Sequence, residues 1–175
     1  MKTALDMKAV GLMVTRVANA LAVAGLSLLL ILATFTLLDG LLRALANYPL
    51  DLVREIGDLV AAICGASCLP IVLLHRSNIV LRTFEKILPP GGVRVIDVFA
   101  AAIIEIVMIA MAWQFCLFGV KTMQAGDVTW LLNLPKAPFW FVVDGILWVA
   151  VAVQTFVLIE EISGIRPVRA PESMS

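Results

Sequence analysis

Histidine, cysteine and charged side chains are scarce in this sequence. It has one histidine, His75, and three cysteines among 175 residues, and charged residues make up 15% of the chain. A four-ligand zinc site would need these few Cys and His side chains to converge on one point, and their scattered positions make this site unfavourable. Haem held by two histidines is excluded because the chain has only one histidine. The net charge is zero, so no basic surface for nucleic acid is predicted. No phosphate loop, nucleophile elbow or HExxH pattern occurs, and we predict neither a cofactor nor an enzyme.

Apolar residues are abundant instead. They make up 62% of the chain, and the mean hydropathy is +1.03. A soluble domain carries about 45–50% apolar and about 25% charged residues. The excess comes in long uninterrupted blocks, which is typical of an integral membrane protein and leaves room for about four spans of ~20 residues each.

Breaks between these blocks predict the order of the segments. Asn47-Tyr48-Pro49 ends the first helix, and the second begins with a short amphipathic, acidic stretch. Val120 to Pro138 is predicted to be a loop, because it holds a glycine and two prolines. The predicted organisation is a cytoplasmic or interfacial segment (1–16), a four-helix membrane domain (17–161, with spans at about 17–38, 53–74, 93–118 and 139–159) and a cytoplasmic tail (162–175).

The distribution of Lys and Arg predicts the orientation. The first segment, the loop after the second span and the tail together hold nine of them, and the other two loops hold four. The positive-inside rule then places both termini in the cytoplasm. Tyr48, Trp130 and Trp140 would share the outer face, where aromatic residues are enriched.

A group of charged residues flanks the turn between the first two spans. Asp39 and Arg43 are four residues apart and can pair on one helix face. Asp51, Glu55 and Asp58 lie at i, i+4 and i+7 and form an acidic stripe on α-helical spacing. This stripe could bind a cation or dock another subunit. We favour docking, because Arg43 and Arg54 combine with the acids into a mixed-charge patch suited to specific pairing. The predicted docking residues are Asp39, Arg43, Asp51, Arg54, Glu55 and Asp58.

Two acids lie inside predicted spans, Glu105 and Asp144. An intramembrane carboxyl is by default a functional hypothesis, here ion or proton coupling. The alternative is a protonated acid that hydrogen-bonds at a helix–helix contact, and we favour it because no basic residue lies at a matching depth. Cys64 and Cys68 are four residues apart, and we favour small-residue helix packing there over a thiol redox pair.

The order of these features resembles a known family, the small membrane subunit of tripartite ATP-independent periplasmic (TRAP) transporters, of the DctQ type. The resemblance runs from about Arg16 to Glu161. The matching pieces are Arg16, Asp39-Gly40-Leu41-Leu42-Arg43, Asn47-Tyr48-Pro49-Leu50, Glu55, the corner His75-Arg76-Ser77-Asn78-Ile79, Leu88-Pro89, and Leu134-Pro135 leading to Trp140.

The resemblance implies a role in the bacterial inner membrane. A soluble periplasmic binding protein would capture an organic acid, such as a carboxylate or a sialic acid-like compound. A large multi-span subunit would carry it inward by sodium symport. The small subunit would act as a scaffold among membrane lipids, with His75, Arg76 and Asn78 at its cytoplasmic corner. Two alternatives remain open: a self-sufficient four-helix transporter that uses Glu105, and a membrane thiol or quinone oxidoreductase.

Overall fold

Four long α-helices make up nearly all of the chain that the structure describes. The computed structural model describes residues 2–48, 50–75, 90–130 and 132–163. Each helix contains a stretch long and apolar enough to cross a membrane, which confirms the prediction of an all-α protein with four spans. The helices are α1 (Lys2–Ala46), α2 (Asp51–His75), α3 (Pro90–Ala125) and α4 (Ala137–Ser163).

The first helix is much longer than a membrane requires. Its 45 residues extend about 68 Å at 1.5 Å per residue, against a hydrocarbon core of about 30 Å. It is continuous through Arg16 and Asp39, so the predicted interfacial segment and the first predicted span belong to one helix. Where the membrane boundary falls along α1 stays a prediction.

α1 ends where the sequence predicted a break. Asn47 adopts a positive φ of 53°, a left-handed conformation that asparagine tolerates at the end of a helix. The Tyr48 amide donates to the Leu42 carbonyl at 3.4 Å, which satisfies one carbonyl of the last turn.

The third helix continues beyond its predicted end. Our prediction of a loop from Val120 was wrong, because α3 runs to Ala125. Gly126 then ends the helix with a φ of 65°, and the Asp127 amide donates to the Thr122 carbonyl at 3.2 Å. This is the hydrogen-bond pattern of a Schellman motif, for which glycine is the usual residue. The residues before Gly126 are good helix formers and carry no break of their own.

The helices pack in the order α1, α2, α4, α3. Among the described residues α2 packs against both α1 and α4, α3 packs against α4, and α1 makes only a slight contact with α4. The core lies between α2, α3 and α4, and its buried members are Ala66, Met108, Ala112, Val143, Leu147, Ala150 and Val151. α4 is the most buried helix and α1 the most exposed.

Small residues allow the close approach of α1 to α2. A Cβ atom built on Gly25 would lie 2.6 Å from the Ser67 Cβ and 3.3 Å from the Cys64 carbonyl oxygen. Cys64 is buried, and all three cysteines of the chain are free. The contact confirms the interpretation of this stretch of α2 as a small-residue packing surface.

Candidate functional site

Asp39 ties the end of α1 to the start of α2. Asp39 is 6% exposed, and its carboxylate accepts a hydrogen bond from the Arg43 guanidinium at 2.9 Å, which confirms the predicted i, i+4 pair. The same carboxylate accepts a hydrogen bond from the Leu50 amide. We call these three residues the α1–α2 clasp. Because Asp39 is buried in it, this carboxylate is not part of the exposed charge of the turn.

Glu55 joins α2 to the connection between α3 and α4. Its Oε2 atom accepts a hydrogen bond from the Leu132 amide at 3.0 Å, so two connections that are far apart in sequence lie at the same end of the bundle. Arg54 and Asp58 are exposed, and they present the charge at this end of α2. The Asp51 side chain lies outside the described residues.

The described residues of the α3–α4 connection, 126–130 and 132–136, form a tight hairpin within the stretch that the sequence predicted to be a loop. Val128 and Pro135 form an isolated antiparallel bridge. The Thr129 amide donates to the Leu134 carbonyl at 2.9 Å, and the Leu134 amide donates to the Thr129 hydroxyl at 3.0 Å. Asn133 takes a positive φ of 50°, as a tight turn requires.

Glu105 lies at the contact between α3 and α4. It is 9% exposed, and its Oε1 atom accepts a hydrogen bond from the Thr155 hydroxyl at 2.7 Å. The same hydroxyl lies 2.9 Å from the Val151 carbonyl oxygen. The Oε2 atom is buried and has no hydrogen-bond partner among the described residues. Glu105 therefore makes the helix–helix contact that we favoured in the sequence.

Two further polar contacts follow the same interface. The Asp144 carboxyl is buried beside the Cys116 side chain, and its Oδ1 atom has no hydrogen-bond partner among the described residues. The Gln154 amide, 2% exposed, donates to the Ala101 carbonyl at 3.1 Å. Sequence reasoning missed Gln154, although an amide inside a strongly apolar span is a recognisable signal of an interhelical hydrogen bond.

The cytoplasmic corner predicted from the sequence is described only in part. His75 is exposed at the last residue of α2, while Arg76 and Asn78 lie outside the described residues. Within residues 2–48, 50–75, 90–130 and 132–163, no group of three His, Cys, Asp or Glu side chains is arranged to hold a metal ion.

The polar groups described above form contacts between helices with membrane-spanning length and composition. Comparison with protein families identifies the chain that carries them. The family described as tripartite ATP-independent periplasmic transporters, DctQ component, matches residues 32–163. No curated protein and no solved structure matches the chain. The match covers well over half of the sequence and includes the clasp, Glu55, the hairpin and the α3–α4 interface. The chain belongs to the DctQ family, and it is the small, multi-pass membrane subunit of a TRAP transporter and not an enzyme.

Proposed function

We propose that this subunit is a rigid scaffold for the large membrane subunit of the transporter. In this proposal the large subunit carries an organic acid, such as a carboxylate or a sialic acid-like compound, by sodium symport. A soluble periplasmic binding protein delivers the substrate. The subunit lies in the bacterial inner membrane with both termini in the cytoplasm, as the Lys and Arg distribution favours.

The proposal rests mainly on one observation: buried polar groups of this chain bond to other parts of the same chain. Glu105 contacts Thr155, Gln154 contacts the α3 backbone, and Asp39 contacts Arg43 and the α2 start. Each of these contacts fixes one helix, or one helix end, against another part of the same chain. Polar groups of a transport path must instead be reached by the substrate or ion that they bind. A chain that uses its polar groups in this way suits a fixed support.

The surface left for partners has two parts. α1 exposes large apolar side chains along most of its length, among them Leu12, Leu30 and Leu37, and in the membrane these face lipid or the large subunit. The exposed charges Arg54 and Asp58 lie at the end of the bundle that would face the periplasm. Of the predicted docking residues on α2, these two are the ones that we propose meet a partner through their charge.

Transport measurements test the scaffold proposal directly. The isolated chain, reconstituted in vesicles with a sodium gradient, should take up no organic acid, and vesicles with the large subunit and the binding protein should. In mild detergent the chain should co-purify with the large subunit. Sodium-driven uptake by the isolated chain, abolished by Glu105→Gln, would instead establish the self-sufficient transporter.

The docking part has its own test. Asp58→Arg and Arg54→Glu should reduce co-purification of a partner, because each reverses an exposed charge without touching a described intrachain contact. Asp127→Arg is the matched control, since Asp127 is an exposed acid on the other connection at this end. Equal losses for Asp58→Arg and Asp127→Arg would reject a specific docking patch and leave the scaffold proposal standing.

A further inference from the structure

The hairpin between α3 and α4 presents an almost fully exposed tryptophan. Trp130 is 96% exposed, and Val128 and Leu132 beside it are also exposed. Residues 129–134 include no charged side chain. An exposed apolar cluster of this kind marks a surface that meets a partner or a membrane.

The hairpin is held close to the end of the bundle. Its Leu132 amide is bonded to Glu55, which lies four residues, or about 6 Å, inside the start of α2. Lys121, an exposed cation, lies four residues, or about 6 Å, before the end of α3. The hairpin therefore folds back to the level at which the spans end.

The end of α1 reaches much further. The Leu50 amide bonds to Asp39, and the helix continues for seven residues beyond Asp39 to Ala46. Those seven residues extend about 10 Å past the start of α2. The end of α1 is thus the surface that projects furthest beyond α2 at this end of the bundle, and Trp130 is not on it.

We propose that the hairpin is a membrane-interface anchor, in which Trp130 inserts into the lipid headgroup boundary at a depth fixed by Glu55. Tryptophan has a large apolar ring system and one N–H donor, and it is enriched where the hydrocarbon meets water. Complementary charge adds specificity and association rate to docking between soluble proteins, and residues 129–134 at the tip of the hairpin carry none. The lipid interface fits both the chemistry of the tip and its height.

Depth-dependent quenching of tryptophan fluorescence tests the anchor. The full chain is prepared with Trp130 as its single tryptophan, by changing Trp113, Trp140 and Trp148 to Phe. It is reconstituted in phosphatidylcholine vesicles that carry bromine either near the headgroup or near the end of the acyl chain. Trp130 emission should be lost mainly to the bromine near the headgroup, and aqueous iodide should quench it weakly.

The chain supplies a matched control for depth. Trp113 is exposed on α3, twelve residues before the helix ends, which is about 18 Å along the axis. A variant with Trp113 as the single tryptophan should lose its emission mainly to the deep bromine. Glu55→Leu, in the Trp130 variant, should weaken the preference of Trp130 for the shallow bromine, whereas Glu55→Gln keeps an acceptor for Leu132 and should retain the preference.

Three results would overturn the anchor. Strong iodide quenching with no loss to either bromine would place Trp130 in water, where a soluble partner could bind it. A profile like that of Trp113 would place it in the hydrocarbon. Loss of the large subunit on co-purification of Trp130→Ala, with co-purification intact for Trp130→Phe, would assign the side chain to a protein contact.

Discussion

Replacing Gly25 tests whether α1 is held to α2 by backbone proximity. The added Cβ of Gly25→Ala would lie 2.6 Å from the Ser67 Cβ, whereas two carbon atoms pack best at about 3.5–4.0 Å. The helices must therefore move apart by about 1 Å. Forcing extra atoms into a packed interface typically costs ~1–3 kcal/mol. Alanine also stabilises a helix relative to glycine by about 0.8–1.0 kcal/mol. The measured change in the free energy of unfolding for Gly25→Ala is therefore smaller than the cost of the clash.

Gly65 provides the control that separates these two terms. A Cβ at Gly65 has no neighbouring atom within 4 Å, so Gly65→Ala reports helix propensity alone. We expect Gly25→Ala to be less stable than Gly65→Ala by about 1–3 kcal/mol, the cost of overpacking. The free energy of unfolding can be measured for the purified chain by SDS titration in mixed micelles, followed by tryptophan emission.

Ser67→Gly should rescue the loss, because it removes the atom that the new methyl group meets. In a double-mutant cycle, the destabilisation by Gly25→Ala should be smaller in the Ser67→Gly background than in the wild-type chain. The reasoning is refuted if Gly25→Ala and Gly65→Ala agree within about 0.5 kcal/mol, or if the two changes at the interface are additive within that range.

Three further changes probe the polar contacts, all read by the same titration. Asp39→Ala removes the acceptor for the Leu50 amide and should destabilise by about 0.5–2 kcal/mol, the usual cost of losing a helix cap; no change would show that the clasp contributes nothing. Thr155→Val leaves the buried Glu105 carboxyl without its donor and should destabilise by about 1–3 kcal/mol, while Thr155→Ser should stay near wild type. Gln154→Leu replaces a buried amide with an apolar side chain and should cost no more than about 1.5 kcal/mol; a much larger loss would mean that the amide holds more than one contact.

The fold could be predicted from the sequence because membrane spans are local features. Each apolar block is long enough to cross the bilayer alone, and backbone hydrogen bonds within lipid leave the helix as its stable form. The Asp39–Arg43 pair was predictable for the same reason, since four residues of spacing place both side chains on one helix face. The end of α1 at Asn47 also follows from neighbouring residues alone.

Contacts between helices were not predictable, because they depend on register. Glu105 contacts Thr155, and Cys116 lies beside Asp144. On α3, Glu105 and Cys116 are eleven residues apart, and on α4 Asp144 and Thr155 are also eleven residues apart. Eleven residues make three helical turns, so each set shares one face of its helix. Nothing in a single span indicates which residue of the other span lies opposite. The Glu55 contact with the hairpin joins residues 77 positions apart, which no local pattern reveals.

The clasp at Asp39 also determines how far the carboxyl end of α1 projects beyond the start of α2. The last four carbonyls of any helix lack partners within it, and they carry the negative end of the helix dipole. Because Leu50 is fastened back at Asp39, the last two turns of α1 stand about 10 Å beyond the start of α2. In the proposed orientation this end faces the periplasm, where water would solvate the carbonyl oxygens and the helix dipole would end in a high dielectric.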